Sequence, residues 1–194
     1  MKHEITRGDL MPIPEYAKLR KEKRQALVAA KRDRRLHVGP YATFHFESYD
    51  SMWHQIHEML YIEKGGEAQI EDELRSYNSL IPNGRELVAT IMFEIDDEKQ
   101  RRAFLAKLGG VEESVFIRFD GETVRGVPEE DVDRTSADGK ASSVQFIHFP
   151  FTPEQIRKFR RSGAEATLGF SHPAYGHLAI LPEAMRTALA QDFD

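Results

Sequence analysis

The 194-residue chain contains no cysteine. That excludes disulfides, thiolate metal sites, iron–sulfur ligation and thiol catalysis by its own side chains. No apolar run approaches the ~18 residues that a membrane span needs. The opening residues, Met1 to Leu10, have no apolar stretch behind their basic residues of the kind a signal peptide carries. A cytosolic protein without membrane association is the expectation. Also missing are GxxxxGK[ST], a GxGxxG behind a strand, and GxSxG. Gly65-Gly66 and Gly109-Gly110 follow predicted helices, where glycine closes a last turn rather than cradling phosphate. Asp131, Asp133 and Asp138-Gly139 imitate part of a calcium loop but lack its fixed spacing and terminal Glu.

What is present is charge, unevenly spread. The chain holds 27 Lys and Arg against 32 Asp and Glu, yet residues 1–40 carry a net +6 and residues 41–194 a net −11. This divides the chain into a basic arm, 1–40, and a single domain, 41–194. Nucleic-acid domains pair a high pI with stacking aromatics. Here the pI is about 5.9, and Tyr16 is the arm's only aromatic before Tyr41. Nucleic acid is therefore not the expected partner. The acidic body, in the same subunit or in a homodimer, is the simpler one.

The arm reads as one long helix, with Pro14 suited to its first turn and Gly39-Pro40 ending the section. Its apolar stripe is thin, and its helical spacing predicts burial of Tyr16, Leu19 and Leu27. Arg24, Arg32 or Arg35 are expected to pair with carboxylates. Residues 42–47 alternate as a strand, with Phe44 and Phe46 on one face and His45 and Glu47 on the other. A helix capped by Asp50 or Ser51 follows to about Glu63, then a second over 68–77. Next come strand 87–95, helix 98–108, and strands 114–119 and 122–127 around the hairpin signal Asp120-Gly121. A polar loop, 128–141, precedes strand 143–149, helix 153–161, strands 165–170 and 177–180, and a final helix over 182–191. Segments 87–127 and 143–180 share one element order, as an internal β-α-β-β repeat would, although identity between them is slight. The fold class is α+β, a mixed or antiparallel sheet with packed helices.

Chemistry-bearing residues concentrate on the helix after Ser51. Met52, Trp53, Ile56, Met59 and Leu60 share one arc; His54, His57, Glu58 and Tyr61 share the opposite one. With His45 and Glu47 on the preceding strand, His45, His54, His57 and Glu58 form a nitrogen and oxygen set suited to Zn, Mn or non-haem Fe. A polar stripe opposite an apolar one is equally what a surface helix presents. The order HxxHE is neither HExxH nor Glu-x-x-His. A second cluster, Ser171 to His177, places His172, Tyr175 and His177 in a turn. His148 reads better as a hydrogen-bonded sheet histidine than as a ligand.

Five phrases carry a resemblance: Arg35 to Pro40; Phe46-Glu47; Gln55 to Glu63; Tyr77 to Pro82; and His172-Pro173-Ala174-Tyr175. Together they resemble a bacterial family of about this length, domain of unknown function 3501, over nearly the whole chain. The resemblance implies association with rubrerythrin-like and iron–sulfur oxidoreductase proteins. It also moves weight from the HxxHE set to Glu47, Gln55, Glu58, Glu63 and His172, because the family pattern has Gln where this chain has His57. The leading expectation is an accessory or metal-binding protein of a redox or peroxide-defence system, with a polar site built from strand 42–47 and helix 51–63. The alternatives are a non-catalytic module docking an acidic partner through its basic helix, and a small-molecule enzyme using carboxylate and His acid–base chemistry.

Overall fold

Phe44 and Phe46 alternate with Thr43 and His45, and that two-residue period sets the layering of the molecule. The computed structural model describes residues 2–129, 139–161, 163 and 165–194. The loop carboxylates Asp131, Asp133 and Asp138 lie outside the described residues. A first sheet joins β1 (Arg35–Val38), β2 (Ala42–Phe46), β3 (Glu86–Phe93), β6 (Val127–Pro128) and β7 (Val144–Pro150) in the order β1-β2-β3-β7-β6. A second joins β4 (Val115–Phe119), β5 (Glu122–Arg125), β8 (Ala166–His172) and β9 (Tyr175–Ile180) in the order β5-β4-β8-β9. Every pairing is antiparallel. The fold is α+β.

One apolar cluster joins the two sheets: Phe44, Phe46, Ala89, Ile91, Ile147 and Phe149 from the first, Ile117, Phe119, Leu168 and Phe170 from the second. Leu105 of α4 (Glu98–Leu105), Phe159 of α5 (Pro153–Arg160) and Leu189 of α6 (Glu183–Leu189) belong to the same cluster. The other face of the first sheet offers Val88 and Phe146. It is covered by Met52, Ile56 and Leu60 of α2 (Tyr49–Glu63), by Leu74 of α3 (Glu67–Asn78), and by Ile5. Ser48 caps α2, exchanging bonds with Ser51, so the cap lies earlier than Asp50 or Ser51. Asp120 (φ +45°) and Gly121 (φ +76°) form the β4–β5 turn with two positive φ values, as an Asp-Gly hairpin requires.

The repeat has a structural counterpart. β3 pairs with β7 around Ile91 and Gln145, and β4 pairs with β8 around Ile117 and Leu168. A two-fold rotation exchanging β3-α4-β4-β5 with β7-α5-β8-β9 would map each pairing onto itself, which is what duplication requires. Glu94 and His148 each lie three residues past the Ile91–Gln145 pair.

The arm departs from the sequence reading. α1 (Ile13–Lys31) ends early, a 3-10 turn spans Arg32–Arg34, and Arg35–Val38 becomes the edge strand β1. Leu36 and Val38, two residues apart, enter the sheet–sheet core, a spacing no helix face can match. Arg34 then grips Asp192 through both guanidinium nitrogens, at 2.9 and 2.5 Å, and donates to the Glu47 carbonyl at 3.2 Å. Burial pushes the Asp192 carboxyl above its ordinary pKa despite the Arg34 charge.

The turn between β1 and β2 is held from the second sheet. The Tyr175 hydroxyl accepts from the Tyr41 and Ala42 amides, both at 3.0 Å, and donates to the Val38 carbonyl at 2.8 Å. Gly39 takes φ +70° beneath it, and a Cβ there would stand 2.8 Å from that hydroxyl and 2.6 Å from the His177 ring.

His148 is also engaged on both sides. Its Nδ1 lies 3.1 Å from Glu86 and its Nε2 2.5 Å from Glu129, so both nitrogens donate only when the ring is charged. Burial opposes that charge, but the two carboxylates outweigh it and raise the pKa above the usual range. The stabilisation is therefore complete below the unfolded value near pH 6.5 and is lost as pH rises through the higher folded value. His148→Gln should cost about 1.5–3 kcal/mol at pH 6 and clearly less at pH 9. Urea denaturation at the two pH values measures this, and a cost independent of pH would remove the charged-ring assignment.

Candidate functional site

The expected polar site rests on the junction of β2 and α2. Glu47, 4% exposed, accepts from the Ser51 hydroxyl at 2.6 Å and from the Thr90 hydroxyl at 2.7 Å. Each carboxylate oxygen thus has a donor, and the group ties α2 to β3. Further along α2, His57 is fully buried. The Met11 amide donates to its Nε2 at 3.0 Å, and its Nδ1 lies 2.7 Å from the Trp53 carbonyl. Only a neutral ring with the proton on Nδ1 satisfies both contacts, and burial lowers its pKa accordingly. Such a ring has no lone pair left for a metal.

Glu58 is engaged differently. Tyr16 Oη donates to it at 2.7 Å, and Arg20 clamps it with Nε at 2.8 Å and a terminal nitrogen at 2.7 Å. The Arg20 bond above all, with the Tyr16 bond, holds its pKa at about 2. Gln55 reaches the Tyr77 hydroxyl at 3.4 Å, and Glu63 accepts from Gln69 at 2.8 Å. His172 belongs to the second sheet, where Nε2 donates to the Gly109 carbonyl at 3.2 Å and Nδ1 accepts from the Ala174 amide at 3.1 Å. Among the described residues, His45 and His54 each bury an Nε2 without a partner, and burial lowers the pKa of both.

Glu47, Glu58 and His172 thus occupy three separate networks. Of the expected metal set His45, His54, His57 and Glu58, the His57 ring is engaged by backbone and Glu58 by Tyr16 and Arg20. Among the described residues, no three His, Asp or Glu side chains gather as a metal ion would require.

The fold does assemble a groove between α1 and α2. Two clefts, of about 320 and 430 Å³, adjoin at Leu27 and His54. Ala26, Ala30, Tyr49 and Trp53 line the first; Val28, Met59 and Ile62 line the second. Val28 is 66% and Ile62 62% exposed. Lys23, Arg24 and Lys31 stand along the same walls, with the Lys23 ammonium 5.4 Å from the Trp53 ring centre. Among the described residues, Lys18, Lys21, Arg24 and Lys31 make no ion pair. The expected matching of arm to body is therefore only partial. Arg35 lies 3.8 Å from Glu94, Arg32 meets its neighbour Asp33, and Leu19 is exposed.

Tyr16 anchors the arm instead. It is fully buried, with its ring centre 6.0 Å from Trp53, 4.8 Å from His57 and 6.4 Å from Tyr61. The sequence flagged Tyr16 as apolar but held no sign of its bond to Glu58.

The profile of the family described as "Protein of unknown function (DUF3501)" matches residues 4–193. The chain belongs to this family. It is also 36% identical to a protein of unknown function from Burkholderia pseudomallei K96243, known from a crystal structure. The match has a TM-score of 0.90 and covers 98% of this chain and 99% of the other. No curated protein matches the chain. In this DUF3501 chain, several of the phrases that carry the resemblance turn out to be joints. Gly39 meets Tyr175 in the turn clamp, and Glu47 locks α2 to β3. Asn78 bonds both the amide and the carbonyl of Ile5, at 2.8 and 2.9 Å. No helix among the described residues is long and apolar enough to cross a membrane.

Proposed function

We propose that the protein is a non-catalytic interaction module that docks an acidic, amphipathic segment of a protein partner in the groove between α1 and α2. The observation that carries this reading is the groove's composition: an apolar floor with exposed Val28 and Ile62, walled by Lys23, Arg24 and Lys31. These cations have no carboxylate partner among the described residues and outnumber the lining carboxylates Asp50 and Glu58, the latter already clamped by Arg20. An acidic helix with one apolar face complements both features. Rubrerythrin-like and iron–sulfur oxidoreductase proteins, the associates implied by the family resemblance, are the first partners to test. Docking such a protein would make the chain an accessory of a redox or peroxide-defence system without a metal of its own.

Trp53 is the chain's single tryptophan and lines the groove. A helical Glu/Leu peptide should shift its emission saturably, and salt should weaken the binding. The double change Arg24→Glu, Lys31→Glu should raise Kd about tenfold or more. An equal response to the Lys/Leu version of the peptide would remove the electrostatic basis of the proposal.

A further inference from the structure

A second cavity, of about 520 Å³, opens where the start of β3, the first turns of α5 and the last residues of the chain meet. It shares no lining residue with the α1–α2 groove. Three arginines line it: Arg85 from the β3 side, Arg157 and Arg160 from α5. Phe151 and Ile156, both buried, supply an apolar wall. Arg160 is fixed by donating to the Phe193 carbonyl at 2.7 Å, and Arg157 pairs with Glu154. Among the described residues, the Arg85 guanidinium has no partner. Asp194 supplies the one acidic side chain lining the cavity among the described residues, and it is drawn to His3, with Oδ1 3.1 Å from the ring Nε2. Among the lining side chains, three guanidiniums thus face one carboxylate beside an apolar surface.

We infer that this cavity binds a small organic oxyanion, a carboxylate or phosphate carried on an apolar body. The planar fork of a guanidinium matches both headgroups through paired N–H bonds. Its size falls within the ~300–1,000 Å³ of small-ligand sites, which combine apolar walls with a few charged groups. Arg85 would take the headgroup, with Arg157 and Arg160 closing the opposite side, while Phe151 and Ile156 receive the body.

The test is calorimetric titration of the full chain with phenyl phosphate, benzoate, inorganic phosphate and benzyl alcohol. At least one of the two aromatic anions should bind tenfold or more tightly than both inorganic phosphate and benzyl alcohol. The tighter of the two assigns the headgroup. Arg85→Gln should weaken that binding at least tenfold with Tm unchanged, and ligand-induced NMR shifts should centre on Gly84 and Ile156. The inference is overturned if inorganic phosphate binds as well as both aromatic anions, if Arg85→Gln changes nothing, or if the shifts lie elsewhere. None of these outcomes bears on the α1–α2 groove.

Discussion

Tyr16→Ala is expected to destabilise the protein by about 3–5 kcal/mol, the range for deleting a buried aromatic side chain. It should also release α1 to proteolysis while the sheets stay folded. The side chain is fully buried and touches α2 through Trp53, His57 and Tyr61. Its hydroxyl adds a bond to an ionised carboxylate. Tyr16→Phe keeps the ring and removes only that bond, so about 1–3 kcal/mol should be lost. Leu19→Ala, on the exposed side of the helix, should stay within about 0.5 kcal/mol. Acid should act on the same contact. Because Arg20 and Tyr16 depress Glu58 to about 2, its contribution is present above the unfolded carboxyl value of 4.5 and is lost as pH falls towards 2. Denaturation midpoints and cleavage rates within residues 13–31 measure all of this. A Tyr16→Ala protein as resistant as the parent would show that α1 is held by something else.

The second large effect belongs to the turn clamp. Tyr175→Phe leaves the Tyr41 and Ala42 amides without their acceptor and the Val38 carbonyl without its donor, at a buried joint between the two sheets. Each unsatisfied buried group costs about 1–3 kcal/mol, and some of these can recover water, so a loss of about 2–5 kcal/mol is expected. Gly39→Ala should cost at least about 2 kcal/mol by another route, since its positive φ disfavours a side chain and the new Cβ meets Tyr175 and His177. Urea denaturation of the two single variants and the double variant gives the coupling. Because both changes break the same joint, the double variant should lose less than the sum of the singles. Simple additivity would contradict the clamp.

The local grammar of the chain was legible. Two-residue alternation placed Phe44 and Phe46 on the core face, and Asp120-Gly121 marked its hairpin. The shared element order of two segments is matched by antiparallel pairing of β3 with β7 and of β4 with β8. What failed was whatever depends on contacts distant in sequence. Helical periodicity put His57 on the polar arc of α2, yet residues 5–16 cross that arc, and Met11 and Tyr16 bury it. His172 pairs with Tyr175 in the second sheet, and its ring turns to the Gly109 carbonyl in the turn after α4, away from Glu47 and Glu58. The arm's positive charge suggested docking by ion pairs. In the fold, Arg20 and Arg34 make the close, partly buried pairs with Glu58 and Asp192, while Arg24 is left over. Net charge gives the sign of an attraction but not which cation meets which carboxylate.

Those leftover cations and the apolar floor beneath them are expected to receive an acidic partner. The most direct measurement replaces Val28 with a photo-crosslinking residue in the living source organism, with and without Arg24→Glu and Lys31→Glu. Crosslinks should form to one protein through an acidic, amphipathic segment and be lost on charge reversal while the protein remains folded. Crosslinks that survive charge reversal, or that land on a basic segment, would contradict it.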